Sequence, residues 1–93
     1  MANYTILHLH TMLSNAVTNI DSVDSYAKFI AKANECGMKA MAISEHGSVL
    51  GWTNKKKEME KYGMKYIHAE EFYLTETIEE RLKDNFHILL IAK

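Results

Sequence analysis

The chain has 93 residues, 47% hydrophobic and 25% charged, with 11 Lys and Arg against 12 Asp and Glu. That length allows one small domain, or part of a larger one, burying roughly 60–65% of its surface. A formal charge of −1 excludes a strongly basic polyanion binder, which would show a basic face or stripe.

Tyr4 to His10 reads as a short strand, with Ile6 and Leu7 apolar and bulky. A polar stretch runs from Thr11 to Asp21. Asp21 or Ser22 is placed to cap a helix over Val23–Cys36, whose apolar face would be Tyr26, Phe29, Ile30 and Ala33. Gly37 stands where a terminating glycine belongs. Lys39 to Ser44, with the run Ala40-Met-Ala-Ile43, predicts a strand buried on both faces. Gly51 to Tyr62 predicts a charged helix closed by Gly63. Its Lys55, Lys56 and Lys57 read as a solvated face, since Glu58 and Glu60 follow at once. Met64 to Ala69 predicts a third strand, extended or followed by Glu71 to Leu74. A loop with a short helix over Ile78–Lys83 leads to a last strand, Phe86 to Ala92. The order β-α-β-α-β-(α)-β predicts an α/β fold with a parallel sheet or barrel. With no proline, low-complexity tract or repeat to divide it, residues 1–93 read as a single domain.

Cys36 is the lone cysteine, which rules out an intrachain disulfide and suits a reducing, cytoplasmic setting. Met1 to Thr5 carries no basic n-region leading into an apolar one, so no secretory signal is expected. No apolar run nears the ~20 residues of a membrane span.

The five histidines matter for where they fall. His8 and His10 are two apart on a strand, so both imidazoles face one side and can reach one ion. The second strand ends in Ser44-Glu-His-Gly47, the third in Ala69-Glu-Glu71, and His87 opens the fourth. Ligand-capable groups thus gather where strands run out, as active sites do in parallel α/β folds. His87 fits less well, because it precedes its strand. Imidazole and carboxylate together suit zinc, manganese or iron. Taken singly, each group has a plainer reading: an incidental His-x-His, a turn histidine satisfied by backbone, surface glutamates.

Four segments together resemble the PHP (polymerase and histidinol phosphatase) family. Leu7-His-Leu-His-Thr11 resembles its opening signature, and Ala42-Ile-Ser-Glu-His-Gly47 its second, which usually ends Thr-Asp-His-Gly. Tyr66-Ile-His-Ala-Glu-Glu-Phe-Tyr73 and Phe86-His-Ile-Leu-Leu-Ile-Ala-Lys93 look like the forms found in the branch that opens the α subunit of bacterial DNA polymerase III. The resemblance implies a distorted β/α barrel, of which this chain would form the first three to four units. It implies metal-ligand roles for His8, His10, His46, Glu71 and His87, with Asp21 as the candidate for a further ligand. Glu45 stands where Asp is common and reads as a group that orients a ligand. Glu70 should point away from Glu71. His68 matches no ligand position, and Trp52, Phe72 and Tyr73 are assigned to packing. The implied activity is metal-dependent phosphoester hydrolysis, by a 3′–5′ exonuclease or a pyrophosphatase, acting on DNA or nucleotide phosphate within the full-length protein. A binding or structural module that supports a polymerase or docks a separate exonuclease is the alternative. The later signatures, with their further ligands, are not in these residues, so weak or absent turnover is expected of the chain alone. A homo-oligomer that covers the open side of the partial barrel is also expected.

Overall fold

The computed structural model describes residues 4–18, 20–80 and 86–93. Its elements are a 3₁₀ turn over Met12–Ala16, helix α1 (Tyr26–Glu35), strand β1 (Ala40–Ala42), helix α2 (Trp52–Lys61) and strands β2 (Lys65–Ile67), β3 (Ala69–Leu74) and β4 (Phe86–Ile91). Three extended segments run parallel, as expected. Ile6 bridges Met41, and β1 pairs with β2 in the register Met41 to Tyr66. Among the described residues the first segment makes only that one bridge. It is held by the Ala42 amide on Ile6 O (2.8 Å) and the Ser44 amide on Leu9 O (3.0 Å).

The fourth strand departs from expectation. β4 runs antiparallel to β3, pairing Glu71 with Leu89 and Tyr73 with His87. The described strands therefore form two two-stranded sheets rather than one parallel barrel wall. They are stitched together where His46 bridges Glu71, through Gly47 N to Glu71 O (2.9 Å) and Glu71 N to Glu45 O (3.1 Å).

Helix α1 starts later than its polar lead-in suggests. Ser25 caps it, accepting from the Lys28 amide, because Asp21 and Ser22 are held elsewhere. Both donate their amides to the side-chain oxygen of Asn15, at 2.7 and 3.2 Å. Gly37 (φ 84°) and Gly63 (φ 67°) end the two helices in the left-handed region that only glycine enters without strain. Of the short helix expected over Ile78–Lys83, residues 78–80 are bends and the rest lies outside the described residues.

The core lies between the helices and the parallel segments. Ile30 and Ala33 of α1, Met41 and Ile43, and Met59 of α2 meet Met38 and Met64 there, flanked by Ile6, Leu9, Tyr26 and Tyr66. Burying each of these isoleucines and methionines of the core stabilises the fold by about 1.5–3 kcal/mol, and unbranched methionines fill the irregular space between short elements. No helix among the described residues is long and apolar enough to cross a membrane.

Candidate metal centre

Glu71 is the hub of the site. Strand alternation turns it inward, 6% exposed, while Glu70 faces the other way. Its Oε2 meets His8 Nε2 at 2.5 Å and His10 Nε2 at 3.5 Å; its Oε1 meets His46 Nδ1 at 3.6 Å and His87 Nδ1 at 3.5 Å. Asp21 approaches from the loop, with Oδ2 at 2.6 Å from His10 Nδ1 and 3.6 Å from His46 Nδ1. All six residues singled out as ligands are thus brought together. They form three sets, His8–His10–Glu71, His10–Asp21–His46 and His46–Glu71–His87, each offering donor atoms within 4.8 Å of one another.

The reversed direction of β4 accounts for His87. The start of an antiparallel strand lies beside the end of its neighbour, so His87 falls opposite Tyr73, at the same rim as the ends of the parallel segments.

Donor chemistry decides whether a cation fits. His8 Nε2 and His10 Nε2 face each other at 3.2 Å, and both face the same carboxylate oxygen. A neutral imidazole has one N–H and one lone pair. When His10 gives its Nδ1 proton to Asp21, its Nε2 lone pair points at His8 and Glu71. A cation is the natural partner for lone pairs that converge this way, and a carboxylate behind a ligating histidine is a common arrangement at metal ions. The set fits. The same count shows that a neutral His10 lends a lone pair on one side only, to the Glu71 set or to the Asp21 set.

Four residues were misread or passed over in the sequence. Tyr73, expected to pack, is 45% exposed; its hydroxyl is hydrogen-bonded to His46 Nε2, and its ring lies against those of His46 and His87 at 5.2 and 5.1 Å. Its spacing two residues beyond Glu71 puts it on the same strand face, which was the available signal. Trp52 and Phe72 are likewise about two-fifths exposed rather than packed away. Lys55, read as part of a solvated run, is buried, with Nζ 2.6 Å from Glu45 Oε2. It sits one helical turn before Met59, on the buried stripe of α2, while Lys56 and Lys57 face solvent. His68 stays out of the cluster, as expected, and shares a 2.7 Å hydrogen bond with the Tyr66 hydroxyl.

Glu45 is fully buried beneath the histidines. Burial alone would raise its carboxyl, but hydrogen bonds from Lys55, Thr11 and Ser14 outweigh that and hold it below its ordinary value. Burial pushes the Lys55 ammonium below its own ordinary value, an effect that Glu45 partly offsets.

Histidines and carboxylates converging at the strand ends of an α/β fold define a class of domain with clusters that could hold a metal ion. Within that class, the chain belongs to the PHP domain family, whose model matches residues 7–93. It is 32% identical to the DNA polymerase III α subunit of Aquifex aeolicus over 98% of its length, and 30% identical to that of Helicobacter pylori over 97%. A PolC-type DNA polymerase III of Caldanaerobacter subterraneus is 36% identical across 75% of the chain. The match spans only 8%, 7% and 5%, respectively, of those three proteins.

Proposed function

We propose that this chain is the part of a polymerase-associated PHP domain that gathers divalent cations for phosphoester hydrolysis. His8, His10, Asp21, His46, Glu71 and His87 would be the ligands. The observation that carries the reading is the convergence of four imidazoles on the one buried carboxylate of Glu71, with Asp21 beside them. Zinc, manganese and iron match this mixture of nitrogen and carboxylate donors. When bound, such an ion supplies Lewis-acid polarisation of a phosphoryl oxygen and lowers the pKa of a bound water.

The chain's own groups do the arranging. Glu71 and Asp21 hold the His10 imidazole from opposite sides, and the Tyr73 hydroxyl restrains the His46 ring through Nε2. The half-exposed His8 and His87, at 53% and 49% of the side chain, form the rim that a phosphate would approach from solvent. The names of the relatives support DNA or a nucleotide as the source of that phosphate, and we read the whole protein as a cytoplasmic 3′–5′ exonuclease or pyrophosphatase.

The test is metal analysis of protein purified without chelator, beside a His8→Ala, His10→Ala double variant. Bound zinc, manganese or iron that is lost in the variant supports the reading. No metal in either protein refutes it and favours an inert module that supports a polymerase. Release of nucleotide from a 3′-labelled oligonucleotide, or of phosphate from pyrophosphate, then separates the two activities.

A further inference from the structure

Glu45 and Lys55 form an ion pair where neither meets solvent, at 0% and 1% exposure. Such a pair seldom stabilises a fold more than two apolar side chains of the same volume would, so its contacts are the guide to its role. Glu45 Oε1 accepts from the Thr11 amide and the Ser14 hydroxyl, each at 2.7 Å. Its Oε2 accepts from the Thr11 hydroxyl and from Lys55 Nζ. Ser14 Oγ in turn accepts from the His46 amide at 2.9 Å. Thr11 directly follows His10, and His46 directly follows Glu45. The 3₁₀ turn that Thr11 caps also carries Asn15, which holds the Asp21 amide. Through its backbone carbonyl Glu45 accepts from Glu71 as well. Through its carboxylate and its backbone carbonyl Glu45 therefore joins every segment that bears a ligand, except β4, and Lys55 braces it from α2.

We propose that the Glu45–Lys55 pair is a positioning device for the metal centre, setting the separation between the His8–His10 segment, the Asp21 loop and the His46 turn. The inference rests on reading the histidine–carboxylate cluster as a metal centre. Removing both charges while keeping volume, as Glu45→Leu with Lys55→Met, leaves no buried unpaired ion but severs the tie to Thr11 and Ser14. Zinc affinity of the 93-residue chain, measured by competition with a chromophoric chelator, should fall about 10–100-fold, the usual effect of losing a group that orients ligands. The visible absorption of the cobalt(II)-loaded protein, which reports ligand geometry, should change in position or intensity.

A folded double variant with wild-type affinity and spectrum overturns the proposal. Ser14→Ala guards against a double variant that does not fold. It removes the two hydrogen bonds that link Glu45 to His46 while leaving the ion pair intact, and should weaken zinc binding about fivefold or more, fivefold being the worth of one hydrogen bond. Unchanged binding there is equally fatal. Wild-type protein that binds neither zinc nor cobalt would instead remove the metal reading itself, and the inference with it.

Discussion

Replacing Glu71 by Gln removes one negative charge and keeps the side chain's shape. Glu71 is the only carboxylate in two of the three donor sets, while His10–Asp21–His46 keeps its own. Zinc at 100 times its Kd stabilises a folded chain by about 2.7 kcal/mol, which for a domain of this size raises Tm by ~11–22 °C. Losing a ligand worth about a hundredfold in affinity leaves about 0.4 kcal/mol at the same zinc concentration, or ~2–3 °C. Melts followed by circular dichroism, with and without zinc, compare the two proteins, and equilibrium dialysis counts the zinc bound. The metal-free melts should coincide, because the ties between Glu71 and residues 45 and 47 are made by backbone. The zinc-induced shift should collapse, and bound zinc should fall without vanishing, since the Asp21 set remains. A folded E71Q protein whose zinc shift is undiminished would refute the central place given to this carboxylate.

Three further expectations concern stability and assembly. Gly47 has φ +68°, and a Cβ there would lie 2.9 Å from Val17 Cγ1 and 3.1 Å from Tyr73 Cε2. Gly47→Ala should cost about 1–2 kcal/mol from backbone strain alone, read as a lower urea midpoint, and should disturb the Tyr73–His46 contact; a neutral substitution would contradict this turn geometry. Burial raises the Tyr66 phenol above its ordinary value. Its contribution is therefore present below the unfolded pKa of ~10 and lost as pH rises through the folded value. Tyr66→Phe should flatten the alkaline limb of the stability–pH curve, and identical limbs would count against it. On the β3–β4 hairpin, Phe72, Leu74, Phe86, Ile88 and Leu90 share the face opposite Glu71 and are 39–62% exposed. An apolar face of this kind favours self-association. Sedimentation velocity should show a concentration-dependent oligomer that Ile88→Lys dissociates, and a stable wild-type monomer would exclude it.

Local pattern carried much of this chain's organisation. Both helices lie within their expected spans and end at glycines of positive φ, and Ile30 and Ala33 bury the face that their spacing announced. The pairing of His8 with His10 was legible because strand alternation is a local rule with a period of two, which also sets Glu70 and Glu71 on opposite faces; the choice of Glu71 came from the resemblance to the PHP family. The loop was harder to read. Asp21 reads as a helix cap from its neighbours alone, yet Asn15 and the histidines claim it, and Ser25 takes the cap instead.

The amino-acid order by itself therefore determined both helices, the strands that follow them and the rim of the sheet at which most of the candidate donors lie. Tertiary structure alone decided how they meet. Strand direction depends on pairing between distant residues, so only the folded chain shows that β4 reverses and delivers His87 to Glu71. Burial of a charge likewise depends on what packs above it, so Lys55 reads as one of three surface lysines until α2 is laid over Glu45 and the two charges close on each other beneath the histidines.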